Sequence, residues 1–260
     1  MIRALYTART GMNGQQTQLD VISNNLANVN TGGFKRSRTQ FEDLMYQSMR
    51  SVGAETVGGA MVPTGVQVGL GTRVTATQKI FTQGDFTETG NDLDMAIEGD
   101  GFFQIIRDGN PYYTRDGSFK RDAEGYVVTA NGDRLQPEFA IPNGATSLNI
   151  DKNGLLVAQD QDQQTLGSVQ LTLHSFINPA GLKSLGSNLY VETDASGAPT
   201  EANPGSSGLG TLAQRFIETS NVNVTEEMVN LIVTQRAYEV NSRAITTADQ
   251  LLEIANSLKR

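Results

Sequence analysis

The residues able to do chemistry in this sequence are few, and their spacing limits what they can do. The 260 residues hold no cysteine and one histidine, His174. Disulfides, thiolate zinc sites and cysteine nucleophiles are thereby excluded, and a histidine-built metal site or proton relay lacks its second member. His174 sits in the strand-like run VQLTLHSF, where a surface or edge position is favoured over a catalytic base. Carboxylates gather at Asp85, Glu88, Asp92, Asp94, Glu98 and Asp100. Two of them on facing strands could work as a general acid and base, but their turn-rich surroundings favour solvated positions. Asn149, Asp151, Asn153, Gly154 and Asp160 follow the spacing of a calcium-binding loop. The first position lacks its usual Asp, the last lacks the bidentate Glu, and both flanks (SLNI and LLVAQ) read as strands where helices are required. A hairpin turn at Asp151–Gly154 is the favoured reading. Gly69-Leu70-Gly71 lacks the third glycine and the following helix of a dinucleotide loop, and the common nucleophile, phosphate-loop and zinc-protease motifs are absent. No catalytic residue, cofactor or metal is expected.

A second candidate is SNNLANVNTGGFKR, Ser23 to Arg36, where Lys35, Arg36 and Arg38 follow a pair of glycines. A nucleic-acid surface needs a larger basic area with interleaved aromatics, and the chain's formal net charge is −8. The cluster instead reads as a solvated turn, or as cations facing the negative end of a helix dipole. Leu26 and Val29 finish an apolar seam here. Asn28 and Asn30 tolerate non-helical backbone, and Gly32 and Gly33 permit positive φ. With Asn24, Asn25 and Phe34, these residues form a helix stop and joint.

The elements around the joint follow from periodicity. Leu5, Met12, Leu19 and Leu26 fall seven apart, with Ala8, Ile22 and Val29 interleaved. At the other end Leu231, Tyr238, Ile245 and Leu252 repeat the spacing, with Met228 widening the apolar face. Such heptad seams predict long amphipathic helices. Asn223 and Glu226 have capping-box spacing and predict a start at Val224. Neither seam is satisfied alone, so the two ends are expected to pair, and ordering on docking with neighbouring subunits would complete them. From Val66 the period changes. Short runs rich in Val, Ile, Thr, Phe and Tyr are separated by Asp-Gly at 100, 108 and 116 and by Asn-Gly at 131 and 153, read as hairpin-type turns. Ser196–Gly210 reads as a loop. Tyr46–Val66, weakly periodic, reads as an extended connector bridging neighbouring subunits. The expected fold class is α+β: long N- and C-terminal helices paired as a coiled-coil-like inner domain, with an inserted, mostly antiparallel β domain. The expected boundaries are 1–34 and 223–260 for the two helical halves, 35–66 for the connector, 67–210 for the β domain and 211–222 for the return.

The joint motif resembles the N-terminal signature of the bacterial flagellar rod and hook axial family. QGDFTETGNDLDMAIEGDGFFQI (Gln83–Ile105), YTRDGSF (Tyr113–Phe119) and the terminal SNVNVTEEMVNLIVTQRAYEV…SLKR resemble its further shared blocks, so the likeness runs over nearly the whole chain. Gln136–Gly210 matches only in its strand-and-turn pattern. The resemblance implies a structural subunit rather than an enzyme, stacked helically into a hollow shaft that crosses the periplasm and carries motor torque to the hook. Implied partners are its own copies, proximal rod proteins, the hook protein, cap or assembly factors and surrounding ring proteins. No nucleic acid is implied, and no transmembrane segment is seen. The N-terminus has no apolar leader core, which fits the family's export through the flagellar secretion channel. The competing reading is a soluble β-domain binding module or enzyme whose helical ends dimerise.

Overall fold

The computed structural model describes residues 2–50 and 64–257. The centre of the Tyr46–Val66 connector therefore lies outside the described residues. The chain is α+β and divides into two units: Met1–Leu26, Ser37–Gln78 and Asn223–Arg260 form one, and Ala27–Arg36 with Lys79–Val222 the other.

The first unit holds the two long helices, α1 (Ile2–Ala27) and α2 (Val224–Ser257). The start of α2 lies where the cap pattern places it. Asn223 Oδ1 accepts from the amides of Thr225 (3.0 Å) and Glu226 (3.2 Å), satisfying donors that the first turn leaves open. Glu226 and Glu227 add negative charge at the positive end of the helix dipole. Gly11 and Gly14 weaken α1 by intrinsic propensity, yet both sit at close approaches. A Cβ on Gly11 would lie 2.9 Å from Asn241 Nδ2 of α2, and one on Gly14 would lie 2.8 Å from the Phe41 ring. Ser37–Asp43 pairs with Thr72–Lys79, and the two ends of the expected connector, Tyr46–Arg50 and Val66–Gly69, pair antiparallel as a second ribbon.

The second unit is built on a seven-stranded antiparallel sheet. Its strands run Lys183–Gly186, Leu189–Val191, Asn110–Thr114, Phe103–Arg107, Arg134–Leu135, Val127–Val128 and Lys120–Arg121 across the sheet. Successive side chains alternate faces, and the sequence uses this to fill two cores. Phe103, Ile105 and Leu189 join the larger cluster with Met95, Ile97 and Leu212. Their neighbours Phe102, Tyr113 and Tyr190 join a second cluster with Phe176. There the rings meet edge to face, with centroids 4.8 Å apart for Tyr113–Phe176 and 5.9 Å for Phe102–Tyr190. Met95–Glu98 pairs with Thr211–Gln214, and Phe86–Glu88 with Phe216–Glu218. Ser147–Ile150, Leu155–Gln159 and Thr165–Gln170 make a three-stranded meander.

Three turn and loop expectations change. Thr200–Ala202, inside the expected loop 196–210, is a strand paired with Leu173–Ser175. Asp108-Gly109 is a two-residue hairpin turn with φ of 52° and 78°. Asp100-Gly101 and Asp116-Gly117 are not hairpins: the strands flanking Asp100, Met95–Glu98 and Phe103–Arg107, pair with other partners. Both dipeptides instead shape loops around one buried arginine.

Candidate functional site

That arginine, Arg115, belongs to a buried ion node in the β-rich unit. Glu218 ends a short strand, and its carboxylate is 1% exposed. Lys35 Nζ donates to Glu218 Oε1 at 2.6 Å, the Gly84 amide donates to the same oxygen at 2.9 Å, and Arg115 Nε donates to Oε2 at 2.6 Å. Lys35 also donates to the Thr82 carbonyl at 2.8 Å. Two cations thus share one carboxylate. The surplus positive charge is met by carbonyl dipoles, since the Arg115 guanidinium donates to the carbonyls of Ile97, Gly99 and Gly101. Burial pulls the Lys35 ammonium below its usual value, with Glu218 opposing. Burial pushes the Glu218 carboxyl up, and the charges and hydrogen bonds of Arg115 and Lys35 outweigh it, leaving Glu218 below the usual carboxylate range.

The joint motif is fastened around this node. The Gly33 amide donates to the Glu218 carbonyl at 2.8 Å. Gly33 has φ of 67°, and a Cβ there would lie 2.6 Å from the Asp116 amide nitrogen, so both its conformation and its packing demand glycine. Asn221 accepts from the Arg36 amide at 2.8 Å and donates to the carbonyls of Ile80 and Thr82. Asn188 donates to the Gly32 carbonyl at 2.9 Å. Lys79 stands 4.8 Å over the buried Phe34 ring and donates to the Lys35 carbonyl. In the helical unit, buried Asn25 exchanges two 2.9 Å hydrogen bonds with the Ser37 backbone, acting as a strand partner would.

The solvated-turn reading of the basic cluster is therefore corrected for Lys35. Its ammonium is 1% exposed, and what buries it is a carboxylate 183 residues later that local sequence cannot reveal. Of the joint residues, Asn25, Gly33, Phe34 and Lys35 are buried, Asn28, Gly32 and Arg36 half-buried, and Asn24 and Asn30 exposed. Among the seam residues Ile22 is buried. Leu5, Met12, Leu19, Leu26, Val29, Leu231, Tyr238, Ile245 and Leu252 are half-buried, and Met228 is exposed. Beside the second seam, buried Glu227, Thr234 and Ala248 form a parallel row of polar and small residues.

Other candidates lose their chemistry. Asp151 and Gly154 close the expected hairpin, with Gly154 N to Asp151 O at 2.8 Å and Asp151 N to Leu155 O at 3.0 Å. Asp92 pairs with Arg215, Asp94 accepts from Asn91, and Glu98 accepts from Thr211, so these carboxylates are tied to separate partners. His174 is buried rather than at the surface, 5.4 Å from the Tyr113 ring, and neither ring nitrogen is hydrogen-bonded. Burial lowers its pKa, with the Glu201 charge opposing. Among the described residues no group of three or more His, Asp or Glu side chains is placed to hold a metal, and no helix is long and apolar enough to cross a membrane.

Three segments match family models. Residues 5–35 match the flagella basal body rod protein model, residues 96–158 the flagellar hook protein FlgE/F/G D1 domain, and residues 213–258 the flagellar basal body rod FlgEFG protein C-terminal region. The chain is 50% identical over 261 residues to a flagellar basal-body rod protein FlgG of Buchnera aphidicola, covering 99% of this chain and 100% of that one. It is 48% identical to the protein of that name from Borreliella burgdorferi and 40% identical to that of Bacillus subtilis, each covering 100% of both chains. Lys35, Arg115 and Glu218 lie one in each matched segment, so the three segments meet at the ion node.

Proposed function

The chain belongs to the flagellar hook and basal-body rod family, and from that premise we propose that it is a subunit of the distal rod, polymerising helically into a rigid hollow drive shaft. The family is structural, and the chain is a structural protein of the flagellar basal body rather than an enzyme. The observation that carries the rod assignment is the end-to-end match at 40–50% identity to several flagellar basal-body rod proteins named FlgG; the 260-residue length and the Tyr46–Val66 segment support the distal member.

In this reading the terminal helices pair as a coiled-coil-like inner domain, completed by neighbouring subunits. The seam residues Leu5, Met12, Leu19, Ile22, Leu26, Val29, Met228, Leu231, Tyr238, Ile245 and Leu252 make the inner contacts. The inner faces carry many half-buried positions, which supports completion by neighbours. The shaft spans the periplasm to the outer membrane. It binds proximal rod proteins below, the hook above, and cap and ring proteins around it. Subunits reach it by the flagellar export route. The joint, Asn24 to Arg36, fixes where the inner helix gives way to the β-rich unit, and its exposed Asn24 and Asn30 face neighbours. Torque transmission needs a stiff subunit, and the buried node supplies fixed charge pairs that tie Lys35 and Glu218, each near a point where the chain leaves the β-rich unit, to Arg115 within it.

The test is replacement in a flagellated bacterium lacking its own relative. The chain should be recovered in purified basal bodies and should restore swimming. Recovery only from the soluble fraction, with no swimming, would contradict the proposal.

A further inference from the structure

Asn-Gly is a dipeptide prone to lose its side-chain amide without an enzyme, because glycine, lacking a Cβ, leaves its nitrogen open to attack the neighbouring side-chain carbonyl. It occurs four times, at Asn13, Asn131, Asn143 and Asn153. Folding treats the four differently. Asn13 and Gly14 lie inside α1, whose hydrogen-bond ladder takes the Gly14 amide. Gly132 donates its amide to the Thr129 carbonyl at 3.0 Å, and Gly154 to the Asp151 carbonyl at 2.8 Å. The Asn153 side chain is tied as well, donating to Asp151 Oδ2 at 3.2 Å.

Asn143 and Gly144 differ on each count. The Gly144 amide has no acceptor among the described residues. Both residues are exposed, and a Cβ on Gly144 would meet nothing within 4 Å. The turn is nevertheless held from both sides. The amide of buried Ile141 donates to the Gly125 carbonyl at 2.8 Å, and that of Thr146 to the Gln159 carbonyl at 2.8 Å. Arg121 Nη2 reaches over the turn and donates to the Ile141 carbonyl at 3.3 Å and to Asn143 Oδ1 at 3.4 Å. A guanidinium on that oxygen stabilises the negative charge that develops there when the carbonyl carbon is attacked.

The geometry points to Asn143 as a site of self-catalysed amide loss, with Arg121 assisting. The Gly144 nitrogen bonds to the Asn143 side-chain carbonyl carbon. The bond from that carbon to the amide nitrogen breaks, and ammonia leaves with the proton that the Gly144 nitrogen carried. Water then opens the resulting ring imide. Opening at the side-chain carbonyl gives an aspartate, and opening at the backbone carbonyl gives an isoaspartyl linkage. Either product adds one negative charge beside Arg121 to the formal −8. The isoaspartyl product also lengthens the backbone of a turn that leads out of the core at Ile141.

The test incubates the full chain at mildly alkaline pH and maps its peptides by mass spectrometry, with aspartyl and isoaspartyl forms separated by chromatography. Asn143 should convert at least about fivefold faster than Asn131 or Asn153, the factor that one amide hydrogen bond carries. In concentrated urea that lead should disappear, because the four sites then share one unfolded environment. Arg121→Gln, at an exposed strand position, should slow conversion at Asn143 about threefold, as one water-screened charged contact implies, and Arg121→Lys should slow it less. Circular dichroism confirms that both variants fold. An Asn143 that keeps its amide as long as Asn131 and Asn153 do overturns the proposal, and so does a lead that persists in urea. An unchanged or faster rate in Arg121→Gln overturns the role of Arg121.

Discussion

Replacing Glu218 by Gln isolates the electrostatic core of the joint. The change keeps shape and removes one negative charge from a site where Lys35 and Arg115 are 1% and 5% exposed. Glutamine presents one oxygen where the carboxylate presented two. It can accept from Lys35 and the Gly84 amide, or from Arg115 Nε, and its own amide then points a donor at the other donor. Two buried cations lose their only hydrogen-bonded counter-charge, with the Asp100 carboxylate left as a weaker one for Lys35, which costs about 3–5 kcal/mol. Lys35→Met should cost less, about 1–2 kcal/mol, because Glu218 keeps Arg115 and Gly84 and the losses are the Lys35 hydrogen bonds. The order Glu218→Gln above Lys35→Met is the discriminating feature. Urea unfolding of the full chain measures it, followed by tyrosine fluorescence since the chain has no tryptophan. The pH dependence adds a second check. The folded Glu218 pKa lies below its ordinary 4.5, so its stabilisation is present above that value and is lost as pH falls through the folded pKa. The Gln variant should lose that part of the acid dependence. A loss under about 1 kcal/mol for Glu218→Gln, or a larger one for Lys35→Met, would refute the account of the node.

Other outcomes follow from the same contacts. Gly33→Ala should lower the stability of the β-rich unit by at least about 2 kcal/mol in thermal melts, through positive φ and the Asp116 backbone. Gly32→Ala, whose nearest approach would be 3.6 Å to Asp116 Oδ1, should be far milder. His174 has a folded pKa below its ordinary 6.5, so stability should fall as pH drops below that value and level off below the folded pKa. The groups facing it are Tyr113 and Glu201. His174→Phe should abolish that slope in melting curves taken from pH 7.5 to 5. Asn223→Ala should cost about 1 kcal/mol and speed amide exchange at Thr225 and Glu226, which lose their cap.

What the sequence revealed was what local spacing encodes. The helices, the Asn223 cap, the Asp108-Gly109 hairpin and the Asp151–Gly154 turn are written in periods and short motifs. Burial of charge is not. Lys35 looks like a solvated lysine until strand pairing brings Glu218 beside it, and Arg115 sits in a turn-like YTRDGSF that never becomes a hairpin. The Asp-Gly pairs at 100 and 116 carry the same letters as a hairpin turn, but their glycines serve loop conformation and close approach around Arg115. Gly101, for one, has φ of 141°. Likewise Gly11 and Gly14 read as weak helix and prove to be contact points, because propensity says nothing of what packs across a helix. His174 was misplaced for the same reason: its strand was legible, but the aromatic cluster covering it was not.

Electron microscopy of the purified, concentrated chain tests the central claim most directly. The account predicts hollow tubes of uniform diameter. A particle that remains a compact dimer at every concentration would contradict it.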